Sequence, residues 1–309
     1  MDDCRESAIA DRTIVVTGAT GTVGLPIALA LAKRNTVWAP ARFSDEQARA
    51  TLEAAGVRCV RCDLTTGDFT GVPSKVDHVL NFARAAEPPG GDFDQAITGH
   101  AESVGLLMAH CSEAGSVLHC SSTSMYRRGS APAKETDPLT DDRHARRTTY
   151  TIGKLCAEAV VRTMARLYDI PSVIARLNVP YGDYGGWPGS HLHAIVAGTP
   201  IPLHERRPNL FNPLHSDDIV RTIPPLLDAA SVPATIVNWG GPDVVSIEEW
   251  AEHLGSLVGR TPSFVVSPDA TEPVTIDTSK LVALTGSGFV DWRDGMRRMV
   301  EALHPELLS

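Results

Sequence analysis

Tyr150-Thr151-Ile152-Gly153-Lys154 sets a phenol and an ammonium four residues apart, a spacing that puts both on one face of a helix. There the cation can stabilise a phenolate, which makes the two an acid–base pair. Upstream, Cys120-Ser121-Ser122-Thr123-Ser124-Met125-Tyr126 gathers hydroxyls at what reads as a strand end; a hydroxyl beside a proton-exchanging phenol can polarise a C–O group. A third cluster, Gly18-Ala19-Thr20-Gly21-Thr22-Val23-Gly24, follows an apolar β-rich run and opens a helical stretch. Backbone N–H groups and the positive end of the helix dipole favour a pyrophosphate at such a point. The spacing is G-x-x-G-x-x-G, a loose match to the G-x-G-x-x-G dinucleotide fingerprint, in the right strand-loop-helix context.

About 20 residues further on, a cofactor with a free ribose 2′-OH is usually met by an acid. Here the second strand ends Trp38-Ala39-Pro40-Ala41-Arg42, with no carboxylate. A guanidinium there can pair with a 2′-phosphate, so NADP is the expected cofactor and NAD the alternative. Asp63-Leu64, after the third strand, can bring a carboxylate near the adenine.

The elements that must position these groups alternate. Strands are expected at 13–17, 36–41, 57–62, 78–82 and 116–121, with helices at 23–33, 45–55 and around 101–114. This βαβαβ series makes a parallel sheet covered on both faces, a doubly wound α/β (Rossmann) fold. A polar stretch, 127–147, precedes a helix carrying Tyr150 to Tyr168 and a strand at 172–178. From Val179 on, Pro180, Gly182, Gly185, Gly186, Pro188, Gly189, Pro200, Pro202, Pro208 and Pro213 interrupt the pattern, so loops are expected to dominate. Order returns with a helix at 217–230, a strand at 234–239 and a helix opened by the capping-box spacing Ser246 to Glu249. The expected division is a dinucleotide-binding domain of 1–178 plus 215–240 and a small discontinuous substrate lobe of 179–214 plus 241–309.

Composition narrows the partners. With 28 Lys and Arg against 37 Asp and Glu in 309 residues, the net charge is -9, which argues against nucleic acid. Apolar runs fall short of a membrane span, and the acidic start Met1-Asp2-Asp3-Cys4 does not resemble a signal peptide; the expectation is a cytoplasmic enzyme with a small-molecule substrate and no membrane partner. Six scattered cysteines read as reduced. Cys59 and Cys62 face opposite sides of a strand, and His191-x-His193 has no third ligand at metal spacing.

Taken together, these residues resemble the short-chain dehydrogenase/reductase superfamily, and more closely its extended branch of epimerases, dehydratases and reductases. Thr17-Gly18 through Gly24, Asp63-Leu64, Asn81-Phe82-Ala83, the Ser-rich strand end, Tyr150 to Lys154, Arg176 to Gly182, His215-Ser216-Asp217-Asp218 and Asn238 to Pro242 occur in the expected order. The resemblance implies Tyr150 as general acid/base, Lys154 on the nicotinamide ribose, and Ser122 polarising the reacting C–O group, with Thr123 as its understudy. It also implies Pro180 and Tyr181 at the nicotinamide, Ala83 and Arg84 along the middle of the cofactor, and a homodimer. For the substrate the candidates are Arg84, Thr123, Tyr126, Arg127, Trp187, His191, Arg206, Arg207, Asn209 and His215.

Departures refine the expectation. Dehydratases carry Asp-Glu directly after the hydroxyl residue, where this chain has Thr123 and Ser124, and the Asn-x-x-Gly common before the fifth strand reads Glu102-Ser103-Val104-Gly105. The expected activity is hydride transfer between nicotinamide and a secondary alcohol or ketone. A nucleotide-sugar epimerase with tightly bound NAD is the alternative, and a non-catalytic NADP sensor the third reading.

Overall fold

The computed structural model describes residues 9–85, 92–129, 131–139 and 148–308; Cys4 and the end of the polar stretch, 140–147, lie outside them. In chain order the first half runs β1 (Thr13–Thr17), α1 (Gly24–Ala32), β2 (Thr36–Ala41), α2 (Glu46–Ala54), β3 (Arg58–Arg61) and β4 (His78–Asn81). Then come α3 (Phe93–Ile97), a π-helical turn (Thr98–Glu102), α4 (Ser103–His110), β5 (Ser116–Ser122), α5 (Thr148–Tyr168) and β6 (Ser172–Leu177). The second half holds β7 (Val179–Gly182), β8 (Gly185–Gly186), α6 (Trp187–Ala197), β9 (Ile201–Leu203), β10 (Leu210–Phe211), β11 (Pro213–His215) and α7 (Ser216–Asp228). It ends with β12 (Thr235–Trp239), β13 (Val245–Ser246), α8 (Ile247–Leu257), β14 (Phe264–Val266), α9 (Ser279–Thr285) and α10 (Trp292–Leu303).

A seven-stranded sheet in the order β12-β6-β5-β4-β1-β2-β3 forms the expected doubly wound fold. Val15 of β1 stands opposite Trp38 on one side and Val79 on the other, in parallel register. Every residue of β5 is buried, as a central parallel strand covered on both faces requires. Asp45 starts α2 by accepting from the Ala48 N–H at 3.0 Å, and Ser246 and Glu249 form the anticipated capping box of α8. Among the described residues, no helix is long and apolar enough to cross a membrane.

The chain clusters into two compact units. The first comprises Met1–Ser121, Gly153–Ala175 and Val220–Ile236, and its core is aliphatic: Val15, Val79, Val117, Leu107, Met108 and Ile174 are all inaccessible to solvent. The second comprises Ser122–Ile152, Arg176–Ile219 and Val237–Ser309. Its core is built around Trp250, Tyr126, Tyr181, Phe211 and Met296.

The expectation that loops dominate from Val179 is overturned. That segment folds into α6 and short strands, because many of its breakers stand at element ends and Pro180 and Pro202 sit in strands of only four and three residues. Pro188 occupies the first turn of α6, where an N–H would have no helical partner. Gly198 closes the helix in the left-handed conformation, at φ +68°.

Candidate functional site

The glycine-rich end of the candidate site is built in the first unit from backbone. Gly18, at φ +68°, ends β1, and a Cβ on it would come within 2.5 Å of the Phe82 carbonyl oxygen; only glycine lets β1 and the end of β4 approach so closely. The turn closes with Gly21 N–H donating to Gly18 O and Leu25 N–H to Gly21 O, both at 2.9 Å. Gly18 and Thr20 line a cavity of about 510 Å3 with Arg42, Asp63, Leu64, Ala83 and Arg84, a volume that suits a cofactor. Gly21, Thr22 and Val23 shape the turn into α1 without lining that cavity. The cavity fits a dinucleotide through small residues, Gly18, Ala83, Ala85 and Gly99, that leave room for it, and through polar side chains along the wall.

Arg42 is exposed at the mouth, and its carbonyl is held by Arg61 Nη1 at 2.6 Å. Asp63 turns its carboxylate onto the Thr65 N–H and hydroxyl, at 3.0 and 2.8 Å; these bonds hold its carboxyl below the usual range. Sequence reasoning missed other lining residues: Phe43 and Ser44 after β2, and Asp94, Gln95, Thr98 and Gly99 from α3 and the π-helical turn. Phe43, at φ +52°, gives no sign of that conformation in its residue type. Gly99 alone carried a signal, since a Cβ there would come within 2.5 Å of the Ala85 Cβ.

Behind the cavity runs a buried polar chain. Thr17 Oγ1 donates to Asn81 Oδ1 at 2.5 Å, and Asn81 Nδ2 meets His119 Nδ1 at 2.9 Å. His119 Nε2 is buried and has no hydrogen-bond partner among the described residues. Burial, and then the charges of Lys154 and His100, hold the His119 imidazole well below its usual range. Lys154 itself is buried and donates from Nζ to the Cys120 carbonyl at 2.8 Å.

The second unit holds the hydroxyls. Ser122, at the end of β5, accepts from the Ser124 N–H at 3.2 Å and donates to Ser124 Oγ at 3.1 Å. Thr151 donates to that same oxygen at 3.4 Å, so Ser124, passed over in the sequence reading, links Ser122 to the residue after Tyr150. Tyr150 is half-buried on α5, one turn before Lys154. Thr123 is committed elsewhere: it donates to the Leu177 carbonyl at 3.4 Å and accepts from Asn178 Nδ2 at 3.1 Å.

Several residues expected at the substrate or the nicotinamide pack within the second unit. Tyr126 is fully buried, donating to Asn238 Oδ1 at 2.6 Å and accepting from Arg176 Nη1 at 2.9 Å. His191 lies inside α6, where Trp250 Nε1 donates to its Nδ1 at 2.9 Å, and Trp187 packs edge-on against Phe211 and Trp250. Tyr181 is buried, its hydroxyl on the Trp292 carbonyl at 3.4 Å; Pro180, beside it on β7, is half-buried. His215 is buried, and its Nδ1 accepts from the Asp217 N–H at 3.1 Å. Arg206 pairs with Glu272 at 2.8 Å and Arg207 with Glu248 at 3.7 Å, both arginine side chains remaining largely exposed. Asn209 is buried and donates to the carbonyls of His204 and Arg206. Arg127 is exposed.

Three comparisons bear on this geometry. Residues 14–240 match the model of the NAD dependent epimerase/dehydratase family. No curated protein matches the sequence significantly. Among solved structures, the chain is similar to UDP-glucuronic acid 4-epimerase from Bacillus cereus in complex with UDP-glucuronic acid and NAD, at 20% identity and TM-score 0.83, covering 95% of this chain and 99% of that one. It is also similar to dTDP-glucose 4,6-dehydratase from Streptomyces venezuelae with NAD bound, at 21% identity and TM-score 0.76, covering 95% and 97%. A third is UDP-N-acetylglucosamine 4-epimerase from Methanobrevibacter ruminantium, at 16% identity and TM-score 0.79, covering 96% and 100%.

Proposed function

The chain belongs to the NAD dependent epimerase/dehydratase family, and from that premise we propose that it moves hydride between NADP(H) and a secondary alcohol or its ketone. When bound, the nicotinamide supplies or takes up the hydride. In the reducing direction the Tyr150 hydroxyl gives its proton to the oxygen of the forming alcohol, and in the oxidising direction it takes that proton back. Ser122 donates a hydrogen bond to the same oxygen as negative charge develops, and Lys154 holds the nicotinamide ribose and offsets charge on Tyr150. Gly18 and Thr20 would border the phosphates, and Ala83 and Arg84, on the same cavity, would flank the middle of the cofactor.

The observation that carries the choice of NADP is Arg42. It lines the same cavity as Gly18, and no carboxylate stands at the end of β2. A guanidinium fits a phosphate at that point, whereas a free 2′-hydroxyl calls for an acceptor. The carboxylates on that wall are Asp63, tied to Thr65, and Asp94 on α3. Dehydration is disfavoured because Thr123 and Ser124 stand where an elimination acid would be needed, and Thr123 is bonded to Leu177 and Asn178.

Denaturing the purified protein and identifying released nucleotide by mass spectrometry, together with NADPH and NADH titrations of the folded protein, tests the reading. Readily exchanged NADPH supports it; stoichiometric NAD would replace it with epimerisation on a retained cofactor, the activity named for two of the similar structures. Once a ketone substrate is in hand, Tyr150→Phe should lower turnover about a thousandfold with the NADPH dissociation constant little changed. Most of the activity surviving would remove Tyr150 from the proton-transfer role.

A further inference from the structure

The π-helical turn Thr98–Glu102 interrupts the helical run that leads to β5. Such turns are rare and concentrate where a helix must re-aim a side chain for function. The turn is held by Thr98 Oγ1 donating to Glu102 Oε2 and Ser103 Oγ donating to the Gly99 carbonyl, both at 2.8 Å. Glu102, at the position where the family resemblance calls for an asparagine, is exposed. Turned inward are Ala101 and, with a polar side chain, His100, only 3% exposed.

His100 sits between two parts of the cofactor machinery. On one side its neighbours in the turn, Thr98 and Gly99, line the nucleotide cavity. On the other its ring meets α5 at the residue before Lys154: a Cβ on Gly153 would stand 2.8 Å from His100 Cδ2 and 2.9 Å from the Ala96 carbonyl oxygen. Gly153 is therefore a glycine because the imidazole and the end of α3 fill the space a side chain would take. Burial, followed by the positive charges of Lys154 and Arg84, pushes the His100 imidazole down to about 3, so at neutral pH an uncharged ring faces the ammonium without repelling it. Lys154 has its own anchor on the other flank, the Cys120 carbonyl.

We propose that His100 is a positioning residue: carried inward on the π-helical turn, it fixes the Gly153–Lys154 turn of α5 and so sets where the Lys154 ammonium stands toward the nicotinamide ribose. This rests on the role proposed above for Lys154. It makes the wall of the nucleotide cavity and the lysine parts of one rigid assembly, Thr98-Gly99-His100 against Gly153-Lys154. A ring of different shape at position 100 would disturb the lysine without touching the cofactor.

The test is a double-mutant cycle read by NADPH binding, through the fluorescence of the reduced nicotinamide, with NADH as a second probe. His100→Phe should weaken NADPH binding about tenfold, while His100→Gln, which keeps a flat polar group, should recover most of that loss. In the Lys154→Met background, adding His100→Phe should change the dissociation constant by less than about twofold, because the two substitutions act through one contact. Gly153→Ala, which presses on the ring from the other side, should reproduce the His100→Phe loss. Thermal unfolding in parallel identifies any variant that has lost its fold, and the remaining variants of the set then decide. Equal losses with and without Lys154 would show His100 to be simple packing and overturn the proposal. NADPH binding that is indifferent to Lys154→Met would overturn it too, and would also remove Lys154 from the ribose; wild-type protein that binds neither dinucleotide would remove the cofactor assignment itself.

Discussion

The two units use their most telling residues in opposite ways. In the first, the cavity proposed for the nucleotide is made by what side chains leave out: Gly18, Gly99, Ala83 and Ala85 line it, and Gly18 and Gly99 let neighbouring segments approach closely. In the second, the large polar aromatics that would suit a ligand are turned on one another. Tyr126 is bonded to Asn238 and Arg176, Trp250 to His191, and Tyr181 to the backbone of α10. Burying an indole of about 200 Å2 contributes roughly 5 kcal/mol, against about 1 kcal/mol for its hydrogen bond. In the second unit these rings therefore hold the fold, and the groups proposed to act there are small, Ser122 with its neighbour Ser124. Residue type marks chemistry only where packing leaves the group within reach of a ligand.

The contrast is sharpest under truncation. Trp250→Ala should destabilise the protein by about 3–5 kcal/mol, as removal of a fully buried aromatic does, while NADPH affinity below the unfolding transition stays within about threefold. Gly18→Ala should also strike binding. A methyl at φ +68°, 2.5 Å from the Phe82 carbonyl oxygen, has nowhere to go but toward the cofactor or against β4. The expected loss is about a hundredfold in NADPH affinity, beyond a stability cost of at least about 1–3 kcal/mol from the strained backbone, so binding suffers more than it does in Trp250→Ala. Denaturant midpoints and NADPH titrations on the same two variants check both halves; matching patterns would erase the distinction.

Most of the first unit was legible in the sequence because its rules are local. A strand, a glycine-rich turn and a helix follow one another within 13–32, and the breakers stand where backbone geometry needs them. That Tyr150 and Lys154 share a helix one turn apart was legible from their spacing and their place after the fifth strand. The second unit was harder to read because its breakers bracket elements: Pro188 starts α6 and Gly198 ends it. Nor does sequence distinguish Tyr126, with no exposed surface, from a tyrosine at a ligand, since the partners that bury it, Arg176 and Asn238, are 50 and 112 residues away. His100 was hidden for the same reason, its inward turn depending on a π-helical register that has no residue signature.

Acid separates the units by another route. The unfolded His191 imidazole takes up a proton as pH falls through 6.5, whereas burial holds the folded ring down to about 4. Between those values the unfolded state binds more protons, so stability present above pH 6.5 is lost as pH falls toward 4. At pH 5 this amounts to roughly 2 kcal/mol from His191. His191→Gln keeps an acceptor for Trp250 Nε1 and removes the titrating group, so its loss of stability between pH 7 and pH 5 should be smaller than that of the wild type. The remaining acid sensitivity is shared by the other histidines that burial holds down, His78, His100 and His119 of the first unit and His215 of the second, and by carboxylates held below their usual range such as Asp63 and Glu249. Equal losses in guanidinium midpoints for the two proteins would show that His191 does not report on its unit.

Arg42 gives the smallest and most specific effect, because it changes a charge at the rim of the cavity and leaves the backbone cradle intact. It is exposed, so screening limits what one guanidinium can contribute, and about tenfold in affinity, near 1.4 kcal/mol, is a reasonable magnitude for its bond to a phosphate. Arg42→Asp should weaken NADPH by about that factor and strengthen NADH, since the new carboxylate repels a 2′-phosphate and accepts from a ribose hydroxyl. The Arg61 guanidinium holds the Arg42 main-chain carbonyl at 2.6 Å, and that contact survives the substitution, so the loop should keep its course. Added salt should then erode NADPH binding to the wild type more than NADH binding, and the difference should vanish in the variant. An unchanged preference would place the Arg42 side chain away from the ribose and shift the discrimination to Ser44, the next polar group on the same wall.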